Sequence, residues 1–170
     1  GKNPDLVHAQ EYQREHLPTL WLVGKTGAGK STFIQTITGL SSVEVGNGFA
    51  PCTKTAQAYD FPEDKPLVRF LDTRGLGEAD YDPEEDLEEV GKLSHALVVV
   101  MKADEPEQSA VLSALTKIRQ KNKITHLLLI HSAVLLSDEK DRERQIAFNE
   151  QQVKEIWGDD FEAVAVDFET

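Results

Sequence analysis

A short apolar run, a glycine-rich loop and a helical pattern follow one another near the start of this 170-residue chain. The apolar run 20–23 is typical of a buried parallel strand. The next segment, 24–31, reads GKTGAGKS and matches the phosphate-binding pattern G-x-x-x-x-G-K-[ST]. Residues 31–37 continue as an amphipathic helix that Gly39 ends. The order of these segments predicts a strand–loop–helix unit.

The residue types in this loop suit the binding of a phosphate chain. Glycines let the backbone turn tightly and aim several N–H groups at one point. Lys30 is expected to reach the β- and γ-phosphates, and the Ser31 hydroxyl is expected to bind Mg²⁺. The predicted phosphate contacts are Gly24, Lys25, Thr26, Gly27, Ala28, Gly29, Lys30, Ser31 and Thr32.

Charge and cysteine content narrow the classes of partner. The formal net charge is −12 at pH 7, which repels nucleic acid and anionic lipid, and no basic stretch large enough to reverse this is evident. We therefore expect no nucleic-acid partner. The single cysteine, Cys52, excludes an internal disulfide and fits a reducing, cytoplasmic location. No apolar run is as long as a bilayer span, so membrane association is expected only through a missing extension.

Strand and helix patterns alternate through the rest of the chain. Further strands are predicted at 57–61, 67–71, 96–101, 126–130 and 163–166, and further helices at 86–93, 107–121 and 138–157. A proline-bounded turn at 62–66 makes the first two of these strands an antiparallel hairpin, and 41–51 is predicted to be a loop. This alternation predicts an α/β fold with a mostly parallel six-stranded sheet, helices on both faces and the ligand at the carboxyl ends of the strands.

The densest acidity lies between Glu78 and Glu89. Within it, Asp82 and Pro83 are typical of a helix N-cap and of the first helical position. The segment is thus expected to be a solvated helix start, with a partner-facing surface as the alternative.

A second motif follows the predicted strand 67–71, which ends in Asp72-Thr73-Arg74-Gly75, a D-x-x-G sequence. An aspartate at this position can hold Mg²⁺ through a bound water. Gly75 allows its backbone N–H to approach a γ-phosphate closely. D-x-x-G is a weak signal alone, but after a strand and downstream of a phosphate loop it strongly indicates a nucleoside triphosphate site.

With these two motifs the chain resembles the Ras-like GTPase superfamily, in particular its Era-like, septin-like and immunity-associated branches, over about residues 17–168. The resemblance implies a three-layer P-loop NTPase fold, with GTP or GDP and Mg²⁺ as cofactors. It also implies switch I at 41–55 and switch II at about 74–89. A switch I threonine would bind Mg²⁺ and the γ-phosphate; we choose Thr53, with Thr55 as the alternative. The implied metal ligands are Ser31, Thr53 and Asp72.

The chain departs from the family pattern beside the γ-phosphate. Leu76 occupies the position of a water-orienting glutamine, which implies slow turnover or catalytic groups supplied from elsewhere. Arg74 is a candidate electrostatic helper, or alternatively a surface arginine that pairs with the acidic switch. Gly27 replaces the asparagine of potassium-dependent relatives, so a potassium requirement is not supported. The predicted catalytic group comprises Lys30, Thr53, Arg74 and Gly75.

The base-reading motif of the family, N-K-x-D or T-K-x-D, is absent. Alignment by position puts His131 and Ser132 at its first two positions and Val134 in place of the aspartate. We assign His131 and Ser132 to the base, with a loop histidine of no such role as the alternative, while Asp138 is expected to cap the long helix. The family's usual last helix is also expected to be missing from residues 1–170. We expect a lead-in segment or short helix at 1–16 and a G domain at 17–170, possibly truncated at its C-terminus.

Three functions are compatible with these observations. The leading hypothesis is a Mg²⁺-dependent guanine-nucleotide switch that hydrolyses GTP slowly, with a protein partner or nucleotide-dependent homodimer formed through the switch regions. The second is a nucleotide-binding interaction module with little turnover. The third is an ATP-binding P-loop NTPase with relaxed base specificity.

Overall fold

The structure is a computed structural model that describes residues 16–25, 28–53, 56–73, 83–103, 105, 107–121, 123–132 and 138–166, together with Asp5 and His8. The strands in this part are β1 (Thr19–Gly24), β2 (Ala50–Pro51), β3 (Ala56–Phe61), β4 (Val68–Thr73), β5 (Ala96–Lys102), β6 (His126–Ser132) and β7 (Glu162–Ala165). The helices are α1 (Lys30–Thr38), α2 (Ser42–Gly48), α3 (Pro83–Leu93), α4 (Ser109–Lys121) and α5 (Glu139–Trp157). No helix among the described residues is long and apolar enough to cross a membrane.

The strands form one sheet in the order β2-β3-β4-β1-β5-β6-β7. Strand β1 lies near the middle and pairs in parallel with both β4 and β5, and β6 and β7 continue the parallel part. Strands β2 and β3 run antiparallel to their neighbours. The predicted α/β fold with a mostly parallel sheet is therefore confirmed. All six predicted strands are present, and the two-residue strand β2 adds a seventh at the edge.

Helices cover both faces of the sheet, because successive strand residues point to opposite sides. On one face the core joins strand residues such as Trp21, Leu71 and Val99 to α3, α4 and α5. On the other face α1 and α2 pack over the sheet, with a core that comprises Leu22, Ala28, Phe33, Ile34, Val45, Tyr59, Phe70, Val98, Val100 and Ile130. The result is the expected three-layer arrangement.

The segment predicted to be a loop, 41–51, contains helix α2, so that prediction was wrong. Ser41 forms a capping box with Glu44: the Glu44 N–H donates to Ser41 Oγ at 3.2 Å, and the Ser41 N–H donates to Glu44 Oε2 at 2.7 Å. Val45 is buried beneath the helix. Reciprocal capping and one apolar anchor thus offset the low helix propensity of the glycines in this segment.

Two predicted helix starts can be compared with the structure. Helix α3 begins at Pro83, the predicted first helical position, while Asp82 lies outside the described residues. Helix α5 begins after Asp138, whose side chain accepts from the N–H groups of Lys140 and Asp141. The predicted capping role of Asp138 is therefore confirmed.

Candidate functional site

The phosphate loop follows β1, at the carboxyl edge of the parallel sheet. Gly24 ends β1, and a Cβ atom there would lie only 2.9 Å from Val100 O on the neighbouring strand. Gly29 adopts a left-handed conformation (φ 109°) and serves as the N-cap of α1. No side chain in the described part of the chain caps this helix. The N–H groups of its first turn therefore stay available to an anion, which the positive end of the helix dipole also attracts.

The P-loop lysine meets the strand-end aspartate at this edge. Leu22 of β1 pairs with Asp72 of β4, so that the two strands end side by side. Lys30 Nζ lies 3.1 Å from Asp72 Oδ1 and donates a hydrogen bond to Thr73 O at 3.1 Å. The Lys30 side chain is only 10% exposed. The structure thus brings together the two motifs that the sequence separates.

Asp72 has unused acceptor capacity. Its Oδ1 atom is buried and lies at ion-pair distance from Lys30, but it accepts no hydrogen bond of acceptable alignment from the described residues. Ser31 is exposed in the first turn of α1, next to Lys30. Mg²⁺ prefers oxygen ligands and is commonly held by one or two carboxylates together with substrate phosphates. The donor set around Lys30 fits this ion.

The loop is also attached to strand β6. Ser132 Oγ donates a hydrogen bond to Ala28 O at 2.6 Å, and both residues are buried. A buried hydrogen bond between segments so distant in sequence fixes the position of the loop backbone against the sheet. No pattern in the sequence indicated this contact, because it depends on which face of β6 Ser132 occupies.

His131 lies on the opposite face of β6 and is fully buried. Its Nε2 atom is 3.3 Å from Glu150 Oε1 on α5, at ion-pair distance but outside hydrogen-bond alignment. Burial lowers the pKa of His131 below its ordinary value of 6.5, and the neighbouring Glu150 carboxylate opposes this effect. Ser132 therefore has an internal hydrogen-bond partner and His131 lies beside an internal carboxylate, and their assignment to the base stays a prediction.

Lys25 links the loop to the segment that follows β5. Its ammonium donates a hydrogen bond to Glu107 O at 3.1 Å and lies 3.8 Å from Glu105 Oε1. Thr53, the predicted switch I threonine, accepts a hydrogen bond from the N–H of Ala56 at 2.9 Å through its Oγ1 atom. The remaining predicted or discussed site residues, Thr26, Gly27, Thr55, Arg74, Gly75, Leu76 and Val134, lie outside the described residues.

The mostly parallel sheet has a glycine loop at its carboxyl edge, beside the uncapped start of α1 and the Lys30–Asp72 pair. These features define a P-loop nucleotide-binding protein. Residues 19–132 match the model of the 50S ribosome-binding GTPase family, and the chain belongs to this family. It is therefore a GTP-binding P-loop protein, which confirms the resemblance inferred from the motifs.

A curated relative agrees with this assignment. Interferon-gamma-inducible GTPase 10 of Mus musculus is 29% identical over 105 residues, which is 59% of this chain and 25% of the mouse protein. The chain thus spans about a quarter of that relative's length.

Solved structures share the fold. A dimerization-deficient mutant of Toc33 from Arabidopsis thaliana superposes with a TM-score of 0.61 at 15% identity, over 96% of this chain and 76% of that chain. A GTP-binding protein from Sulfolobus solfataricus in complex with GDP gives 0.59 at 16% identity, over 96% and 51%. Bacterial selenocysteine-specific elongation factor EF-Sec gives 0.59 at 20% identity, over 89% and 26%.

Proposed function

We propose that the chain is a Mg²⁺-dependent guanine-nucleotide switch that hydrolyses GTP slowly to GDP and phosphate. The observation that supports this most directly is the contact between Lys30 Nζ and Asp72 Oδ1 at 3.1 Å, beside the uncapped start of α1. A cation for the phosphates and a carboxylate for the metal therefore lie at one point of the sheet edge.

The loop residues 24–32 would bind the phosphates through backbone N–H groups and the Lys30 ammonium. When a nucleotide binds, Lys30 would exchange the Asp72 carboxylate for β- and γ-phosphate oxygens. Asp72 would then be free to accept from a metal-bound water. Mg²⁺ would be held by Ser31, Thr53 and Asp72, and would neutralise charge on the phosphates.

Hydrolysis would proceed by attack of a water oxygen on the γ-phosphorus. The bond from phosphorus to the bridging oxygen breaks, GDP leaves with the electron pair, and the proton of the water passes to the released phosphate. We assign Gly75 and Arg74 to the charge that develops on the γ-phosphoryl group. Leu76 cannot orient water as a glutamine does, so the intrinsic rate should be low.

The γ-phosphate would couple nucleotide state to partner binding. Contacts from Thr53 and Gly75 to this group would order switch I and switch II until hydrolysis releases them. We propose that the ordered switches bind a protein partner or a second copy of the chain. The dimerization-deficient mutant made of Toc33 supports the second option by analogy, since the two proteins share a fold.

Two observations favour a second candidate, a nucleotide-binding module with little turnover. Leu76 replaces the water-orienting glutamine, and Ser132 already donates to Ala28 O while His131 lies beside the Glu150 carboxylate. Base choice is a separate matter: Val134 stands in place of the family's base-reading aspartate, and a site without that carboxylate could accept ATP.

Single-turnover phosphate release from GTP separates these candidates. We expect slow, Mg²⁺-dependent release, and Asp72→Asn should lower the rate and raise the Mg²⁺ concentration that is needed. Asp64→Asn is the matched control, since this exposed carboxylate lies in the hairpin turn and contacts the N–H of Lys65. GTP binding with no measurable release would favour the module. Equal binding and release with ATP would refute guanine specificity.

A further inference from the structure

A second concave site lies at the amino ends of the parallel strands, whereas the phosphate loop lies at their carboxyl ends. It is a pocket of about 450 Å³ where α3 and α4 end and where β5 and β6 begin. The phosphate loop follows the carboxyl end of β1, which runs parallel to β5. At roughly 3.3 Å per residue, the length of the strand separates the two sites by about 20 Å.

The pocket concentrates positive charge in a chain of net charge −12. Three lysines line it: Lys92, Lys121 and Lys123. Lys121 and Lys123 are exposed and form no ion pair within the described ranges, whereas Lys92 lies 4.0 Å from Glu88 Oε1. The ends of α3 and α4 add about half a negative charge each. Together with the Glu88 carboxylate, the helix ends contribute about two negative charges, which the three ammonium groups exceed, so that the pocket remains positive.

His95 adds a fixed polar group to the lining. The backbone N–H of Thr19 donates to His95 Nδ1 at 3.0 Å, and the backbone N–H of His95 donates to Thr19 O at 2.9 Å. Because Nδ1 is an acceptor, the proton of the neutral ring is on Nε2. Ile124, which is 5% exposed, contributes an apolar wall. The backbone of β1 thus holds a ring N–H donor beside the lysines.

We propose that this pocket binds a small, soluble phosphate-bearing molecule at a site separate from the nucleotide site. Lysine ammonium groups bind phosphate as point charges, and the pocket volume lies in the range of small-molecule sites. A nucleic-acid backbone is disfavoured, because the strongly acidic remainder of the chain would repel a long polyanion.

The test is NMR titration of the ¹⁵N-labelled chain with inorganic phosphate, after loading with one equivalent of GDP and Mg²⁺, so that the phosphate loop is occupied and no excess GDP competes for the pocket. We expect amide shifts at Gly91, Lys92 and Ile124. The double variant Lys121→Ala/Lys123→Ala should bind phosphate about tenfold more weakly, equivalent to 1.4 kcal/mol. The matched control, Lys65→Ala/Lys140→Ala, removes the same charge from exposed positions elsewhere and should titrate like the wild type.

Three results would overturn the proposal. The first is a set of phosphate shifts confined to residues 24–32. The second is equal phosphate affinity of the double variant and its control, which would mean that affinity depends on the net charge of the chain and not on Lys121 and Lys123. The third is binding to phosphatidylserine vesicles without any response to phosphate, which would indicate a membrane surface instead.

Discussion

Gly24→Ala tests whether the close approach of β1 to β5 positions the phosphate loop. The added methyl carbon would lie 2.9 Å from Val100 O and 3.4 and 3.5 Å from Lys30 Cγ and Cδ. Gly24 and Val100 are paired in the β1–β5 register, so the carbonyl lies within a continuous sheet. It cannot move aside without disturbing the pairing, whereas the Lys30 side chain can shift.

The expected cost follows from this geometry. Real Cβ atoms essentially never lie closer than 3.0 Å to another heavy atom of this kind. Overpacking of such sites costs about 1–3 kcal/mol. For a chain of this size each kcal/mol lowers the melting temperature by about 2–4 °C. A displaced Lys30 should also weaken GDP binding, by about tenfold for each 1.4 kcal/mol lost.

Urea unfolding and GDP titration of Gly24→Ala measure both effects. Gly46→Ala is the matched control, because a Cβ at this helical position has no neighbour within 4 Å. The control should gain about 0.5–1 kcal/mol, since alanine loses less backbone entropy than glycine on folding. Wild-type stability and wild-type GDP affinity in Gly24→Ala would show that the close approach of Gly24 to Val100 does not position the phosphate loop.

Three further predictions use other contacts. Ser132→Ala removes the donor to the buried Ala28 carbonyl and should cost about 1–3 kcal/mol and weaken GDP binding; an unchanged urea midpoint would contradict this. Ser41→Ala removes the N-cap of α2 and should cost about 0.5–2 kcal/mol by the same assay, whereas no loss would mean that the capping box contributes nothing. Burial lowers the pKa of His131 below 6.5, so the unfolded chain binds this proton at higher pH than the folded chain, and stability should fall as the pH drops below 6.5. His131→Gln should reduce that decline between about pH 7.5 and 5.5, and an identical decline in both proteins would exclude His131 as its source.

Much of the phosphate end could be predicted because its signals are local. The sequence GKTGAGKS specifies a turn and a helix start by residue type, and a strand that ends in Asp72 has to finish near β1 if the two strands are parallel neighbours. The Lys30–Asp72 contact is therefore a consequence of two short motifs and one pairing. Ser41 and Glu44 carry the capping-box signal of helix α2, but Gly46 and Gly48 have low helix propensity, and the sequence therefore predicts a loop there.

Other contacts depend on packing that a single sequence does not encode locally. Ser132 and His131 are adjacent, yet one side chain bonds the phosphate loop and the other faces Glu150 on α5. Strand alternation predicts opposite faces for them but not which face each takes. Two of the pocket lysines, Lys121 and Lys123, lie in the basic stretch 117–123, which is too short to outweigh the net charge of −12. Lys92 joins them only because α3 ends beside α4, and a single sequence does not encode that packing locally.

Binding of GTP through Lys30, at the loop that begins with Gly24, is the property on which the proposed switch depends. The most direct measurement is equilibrium titration of the wild type and Lys30→Ala with GTP and with ATP in Mg²⁺, with Lys65→Ala as the control for loss of one exposed lysine. We predict a preference of the wild type for GTP, and a loss of about ten- to a hundredfold or more in Lys30→Ala, since hydrogen bonds to charged groups contribute about 1.5–3 kcal/mol each. Retained GTP affinity in Lys30→Ala would contradict the assignment of the site.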